Sequence, residues 1–167
     1  MSSNFRIDYV EAALLALFNA MLAAAYGAKV NIDSLGDDDF DDQGRLVLSP
    51  PSVRVRFLRG IDEPARDNQR LTYQTPLSFE VLCFESSLRS SADERKQTLV
   101  LVATVRDMLS GARLVLADGS KTMPVTLNGV DLVDTSAGPV DQLFSVGIIV
   151  EGIAQFSGAN ANPNGGN

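Results

Sequence analysis

Two stretches of helical period stand far apart in this chain, with strand-like stretches grouped after each of them, and that order is what most restricts its fold. In the first, Ile7, Val10, Leu14, Leu17, Phe18, Met21 and Leu22 recur at three- and four-residue steps. Asp8 and Glu11 stand near its start, where the helix dipole favours acids, and Gly27 is placed to stop it. The second stretch covers residues 92–110. Ser91 with Glu94 fits a capping box, Val100, Leu101, Thr104, Val105, Met108 and Leu109 form the apolar stripe, and Gly111 closes it.

Between and after these lie segments of period two. Ser49-Pro50-Pro51 ends a polar loop over residues 31–50 and launches SVRVRFLRG, in which Val53, Val55 and Phe57 share one face while Arg54, Arg56 and Leu58 share the other. After a charged loop at residues 61–71, Tyr73, Thr75, Leu77, Phe79, Val81 and Cys83 line one face of a longer strand, with Gln74, Ser78 and Glu80 opposite. Pro76 cannot donate to a ladder, so it marks an edge, a bulge or a break. Short β-like pieces at 114–116, 123–127 and 130–133 are separated by the turn dipeptides Asp118-Gly119 and Asn128-Gly129. The last strand runs from Leu143 to Phe156, with bends or close approaches at Gly147 and Gly152. Without regular βαβ alternation, this order predicts an α+β fold, a mostly antiparallel sheet with both helices on one face. One domain spans residues 1–156, and the charge-free SGANANPNGGN that follows reads as a flexible tail over 157–167.

The face of the first helix opposite its stripe is alanine-rich rather than charged. It is expected to lie between its own sheet and a second body such as a neighbouring subunit. Its apolar run, Ala12 to Tyr26, is about 15 residues long and contains Asn19, short of the ~20 that cross a bilayer. Acids rather than cations precede it, unlike a signal peptide, so a cytoplasmic location is expected, in keeping with a single cysteine.

Composition removes much chemistry. There is no histidine, so His-based triads and His-rich metal sites are excluded, and Cys83 alone builds neither a disulfide within the chain nor a thiolate metal site. On the apolar face of its strand Cys83 reads as a small hydrophobe. A net charge of −7 gives no basic footprint for nucleic acid. That charge is local: Asp37, Asp38, Asp39, Asp41 and Asp42 hold five of the 21 acids, in an otherwise nearly balanced chain. Residues from Asp39 resemble the opening of a calcium loop, but the twelfth position is Pro50 where a bidentate Glu is needed, so a solvated, extended loop is expected instead. Gly119-Ser120-Lys121-Thr122 looks like the end of a phosphate loop, yet position 114 is leucine where a glycine is required. No catalytic residue, cofactor site or metal site emerges, and the expectation is a protein that is not an enzyme. The pointed surface feature is the arginine row Arg54, Arg56 and Arg59, in a chain where 11 of 14 cations are arginine. Planar guanidiniums suit carboxylates at protein interfaces, and this row is expected to meet those of an adjacent copy.

Taken together, IDYVEAALLALFNAML, the acidic connector, PSVRVRFLRG, SFEVLCF, ERKQTLVLVATVRDML and FSVGIIVEG resemble tail terminator proteins of tailed bacteriophages, the Mu-like group in particular. The resemblance spans about residues 7–156 and rests on order and texture. It implies a homo-hexameric ring on the finished tail tube that halts polymerisation and docks the neck and head-completion proteins. Its partners would be the tail tube protein, those neck proteins and the tail sheath, in the virion and, during assembly, the host cytoplasm. DNA would pass through the ring without specific binding, and no membrane is involved. Another neck connector or tail component is the alternative. In such a ring the five aspartates are expected to face the lumen or the tube, and replacing all five with Asn to spare assembly while impairing DNA passage.

Overall fold

In the computed structural model, residues 6–60, 71–72, 76–85, 91–133, 143–152 and 155–156 are described. Of the loop expected at 61–71, residues 61–70 lie outside the described residues, as do residues 73–75, the side chains of Ser91 and Glu94 and the expected tail at 157–167, while Leu71 opens a strand. The elements in chain order are α1 (Ile7–Tyr26), β1 (Asn31–Ser34), a short 3-10 turn (Asp37–Asp39), β2 (Ser52–Gly60), β3 (Leu71–Thr72), β4 (Leu77–Phe84), α2 (Ser91–Leu109), β5 (Thr126–Val133), β6 (Leu143–Val150) and β7 (Gln155–Phe156). The main sheet has five strands in the order β1-β2-β4-β6-β5, antiparallel except for the parallel pair β1–β2. This is the expected α+β fold.

Alternation decides which face meets the helices. Val53 and Val55 of β2, Leu77, Phe79, Val81 and Cys83 of β4, and Phe144, Val146, Ile148 and Val150 of β6 form one core with Val10, Leu14, Phe18 and Leu22 of α1 and Leu101, Val105 and Leu109 of α2. Both helices therefore cover one face. α1 stops at Gly27, which takes the left-handed conformation (φ 81°) and gives its N–H to Ala23 O at 2.9 Å. Counted whole, α1 has 20 residues and is long and apolar enough to cross a membrane by length and composition, although its stripe is committed to this core. Cys83 is fully buried, and burial pushes its thiol pKa up, as a small core hydrophobe requires.

Three features differ from the sequence reading. Residues 31–34 form β1 rather than loop: Ile32 packs on the helix-side core, and the strand pairs in parallel with Ser52–Val55. Asn128-Gly129 is not a turn. Leu127 faces Ile148 and Val130 faces Val146, so two residues of β5 stand opposite Gly147 in a bulge, with Gly129 at φ 108°. A Cβ on Gly147 would lie 3.3 Å from Asn128 O, so the expected close approach at Gly147 is this bulge. Asp118-Gly119 is the true turn, closed by Leu116 N–H to Ser120 O at 2.8 Å with Gly119 at φ 83°. Finally, β6 ends at Val150 rather than Phe156. β7 pairs separately with β3, with Leu71 opposite Phe156, in the register the β4–β6 ladder would reach if continued. Pro76, just ahead of β4, fits the expected break.

Candidate functional site

The sheet face that the helices leave open carries β2's arginines. Directly opposite residues of an antiparallel pair share a face, so Arg54 lies with Leu82 and Arg56 with Glu80. Leu58 is an extra residue between Phe57 and Arg59, and this bulge turns Arg59, opposite Ser78, onto the same face. The row predicted from sequence therefore exists, but its members are not equivalent.

Arg54 is 6% exposed and is not a surface residue. Its Nε donates to Asp39 Oδ1 at 2.9 Å and its Nη1 to Asn31 O at 3.0 Å. The partner is one of the five aspartates, 15 positions upstream. Two features that read as separate in the sequence meet here, because residues 35–48 fold back over the open face as a strap. Leu35, Leu46 and Leu48 seal it against Leu82, Phe84 and Leu143 in a second, smaller apolar cluster.

The acidic run is consequently a folded structure, not a solvated extended loop. Asp39 Oδ2 accepts from Gly36 N at 3.0 Å, and Val47 N–H bonds to Asp39 O at 2.7 Å. Asp41 Oδ1 accepts from the backbone N–H groups of Arg45 and Gln43, each at 2.9 Å, and its Oδ2 from Arg45 Nε at 2.7 Å. Those bonds, the Arg45 backbone donor foremost, hold the Asp41 carboxyl below its ordinary value. Gly44 (φ 72°) lets the chain turn back, and Phe40 bridges to Leu46. Like-charge repulsion is thus met by one buried guanidinium and one Asx-type turn, and Asp37, Asp38 and Asp42 remain exposed.

Further along the row, the half-exposed Arg56 pairs with Glu80 Oε1, and Ser145 Oγ donates to Glu80 Oε2 at 3.0 Å. Arg59 is exposed. Between strap and sheet lies a cleft of about 390 Å³, with Leu35, Leu46, Leu82 and Leu143 among its apolar lining and Arg45 and Arg56 among its polar lining. On the helix side, Tyr26 donates its hydroxyl to Glu85 Oε2 at 2.7 Å, and burial, then this bond, raises the phenol above its ordinary value. Among the described residues no three metal-ligating side chains cluster together. The Asp39–Arg54 and Glu80–Ser145 contacts span 15 and 65 positions, and no spacing rule in the sequence points to either.

The strap also changes what the aspartates can test. Asp37→Asn, Asp38→Asn and Asp42→Asn together should move folding stability by no more than about 0.5 kcal/mol in urea melts. Replacing all five also removes the Asp39 and Asp41 anchors, so the five-fold variant should lose stability as well as charge.

No protein-family model and no curated protein matches the chain. Among solved structures, a chain of the virion of native gene transfer agent particle shares the fold. It has a TM-score of 0.51 at 15% identity, over 88% of this chain and 93% of that one. A second solved chain aligns over 90% of this one and 96% of its own length, at 16% identity and a TM-score of 0.38.

Proposed function

We propose that this chain is a structural subunit of a phage-type virion, without catalytic activity: a tail terminator that forms a hexameric ring on the tail tube, stops its growth and offers the docking surface for the neck. The observation that carries this reading is the fold shared, nearly end to end, with a gene transfer agent virion chain. The layout of helices and arginine-bearing strand agrees with it, and so does the alanine-rich outer face of α1, which carries no charge from Ala12 onward and suits a subunit whose helices meet neighbours. Because that neighbour comes from a whole particle, a neck connector or other tail component is the second reading.

The test separates them. Added to polymerising tail tube protein of the same virion, the chain should hold tubes at finite length, and labelled chain should decorate the tube end. Tubes that grow on unchanged, with label elsewhere in the neck, would overturn the terminator reading in favour of the connector. The ring itself, six copies of a 17.9 kDa chain, should have a mass of about 107 kDa, on the tube if not free.

A further inference from the structure

We infer that copies of this chain associate head to tail, the C-terminal end of α1 of one copy seating in the strap cleft of the next. The inference rests on the ring reading for closure and names the surfaces that would make the ring.

The helix supplies the first half. From Ala12 to Ala28 the chain carries no charged side chain. Along α1 the buried line runs through Leu14, Phe18 and Leu22, all fully buried, whereas Met21, which shares the helical period, is 53% exposed, with Ala23, Ala24 and Ala25 exposed beside it. The core side therefore turns toward Leu22 and Tyr26 at this end of the helix and leaves Met21 and the alanines uncovered. An uncharged apolar strip left exposed beside a buried line is a surface open to a partner. The same end is electrostatically unfinished. Gly27 N–H serves Ala23 O, which leaves the carbonyls of Ala24, Ala25 and Tyr26 beyond the last intrahelical bond, and the last turn holds no basic residue.

The cleft supplies the other half. Its leucines give an apolar lining, and the side chains of Arg45 and Arg56 are 45% and 49% exposed. A guanidinium has five N–H donors, so pairing with Asp41 or Glu80 leaves donors for helix carbonyls. A long flexible methionine flanked by alanines suits a cleft of about 390 Å³. The partial negative charge at a helix C-terminus complements arginines at the same place.

Placement decides the symmetry. Tyr26 meets Glu85, just past the end of β4, on the helix side, and Leu82 and Leu143 line the cleft at that end of the sheet on the opposite side. Two different surfaces on opposite faces cannot satisfy each other across a two-fold axis. Their contact is heterologous, repeats from copy to copy, and gives a ring when the rotation closes.

Full-length Met21→Cys and Gln43→Cys variants test this, since both positions are exposed and the native Cys83 is buried. Mixed and mildly oxidised, the two should give a crosslinked dimer, and the double variant a ladder of multimers, while each single variant alone stays at protomer mass. Crosslinking of Met21→Cys with itself would mean a two-fold helix contact and would overturn the inference, as would no crosslink at all. Met21→Glu should weaken association by at least about tenfold in sedimentation, and Ala103→Glu, on the exposed side of α2, should not. Equal loss from both would overturn it too. A multimer that forms without the crosslink removes this docking and leaves the ring reading standing. A crosslinked ladder from a chain that fails to arrest tubes does the reverse.

Discussion

Arg54→Ala is expected to cost about 3–5 kcal/mol of folding stability, because it leaves the Asp39 carboxylate buried without its cation. Both side chains are at most 10% exposed, so solvent screens the pair little. At about 2–4 °C per kcal/mol for a chain of this size, the thermal midpoint should fall by roughly 6–20 °C. The loss should be local before it is global. In hydrogen exchange, the Val47 amide, which bonds to Asp39 O, should lose protection while amides of the β4–β6 ladder keep theirs. An apolar pair, Arg54→Met with Asp39→Leu, should recover most of the loss, since the pair is costly to break but not to replace. A midpoint unmoved by Arg54→Ala would mean that the pair does not fasten the strap.

Phe79→Ala should destabilise by a similar amount, about 3–5 kcal/mol, for a different reason. Phe79 is fully buried on β4, the middle strand of the sheet, and meets Phe57 edge-on at 5.4 Å between ring centroids. Truncation leaves a cavity between sheet and helices that a strand hydrogen-bonded on both sides cannot collapse to fill. Here exchange protection should fall across the whole sheet together, and urea denaturation should keep its slope while its midpoint drops. Protection lost only near residue 79 would contradict a single cooperative core.

The helices and the faces of β2 and β4 were legible because local period and burial agree there. Val53 and Val55 alternate with polar neighbours, the α1 stripe recurs at helical steps, and Gly27 ends the helix where a left-handed residue is needed. What failed depends on partners distant in sequence. NIDS has one apolar side chain and becomes a strand only by pairing with Ser52–Val55. Asn128-Gly129 carries a strong turn signal, yet β6 continues past it and converts the pair into a bulge. Arg54 reads as solvent-facing because alternation reports which face a residue takes and not whether another segment lies on that face. The acidic run misled for the same reason: counting its charges cannot reveal that one of them has a buried guanidinium beneath it.

The bulge at Gly129 has a bearing on how such a protein survives its own concentration. β5 is an edge of the sheet, eight residues long, with Leu132 56% exposed and no lysine or proline to discourage a stray strand from adding on. Doubling two residues against Gly147 twists that edge out of the flat line another strand would need. Straightened by deletion of Gly129, the same edge would become a template for open-ended fibrils. With it kept, the twisted edge offers a poorer template for a further strand.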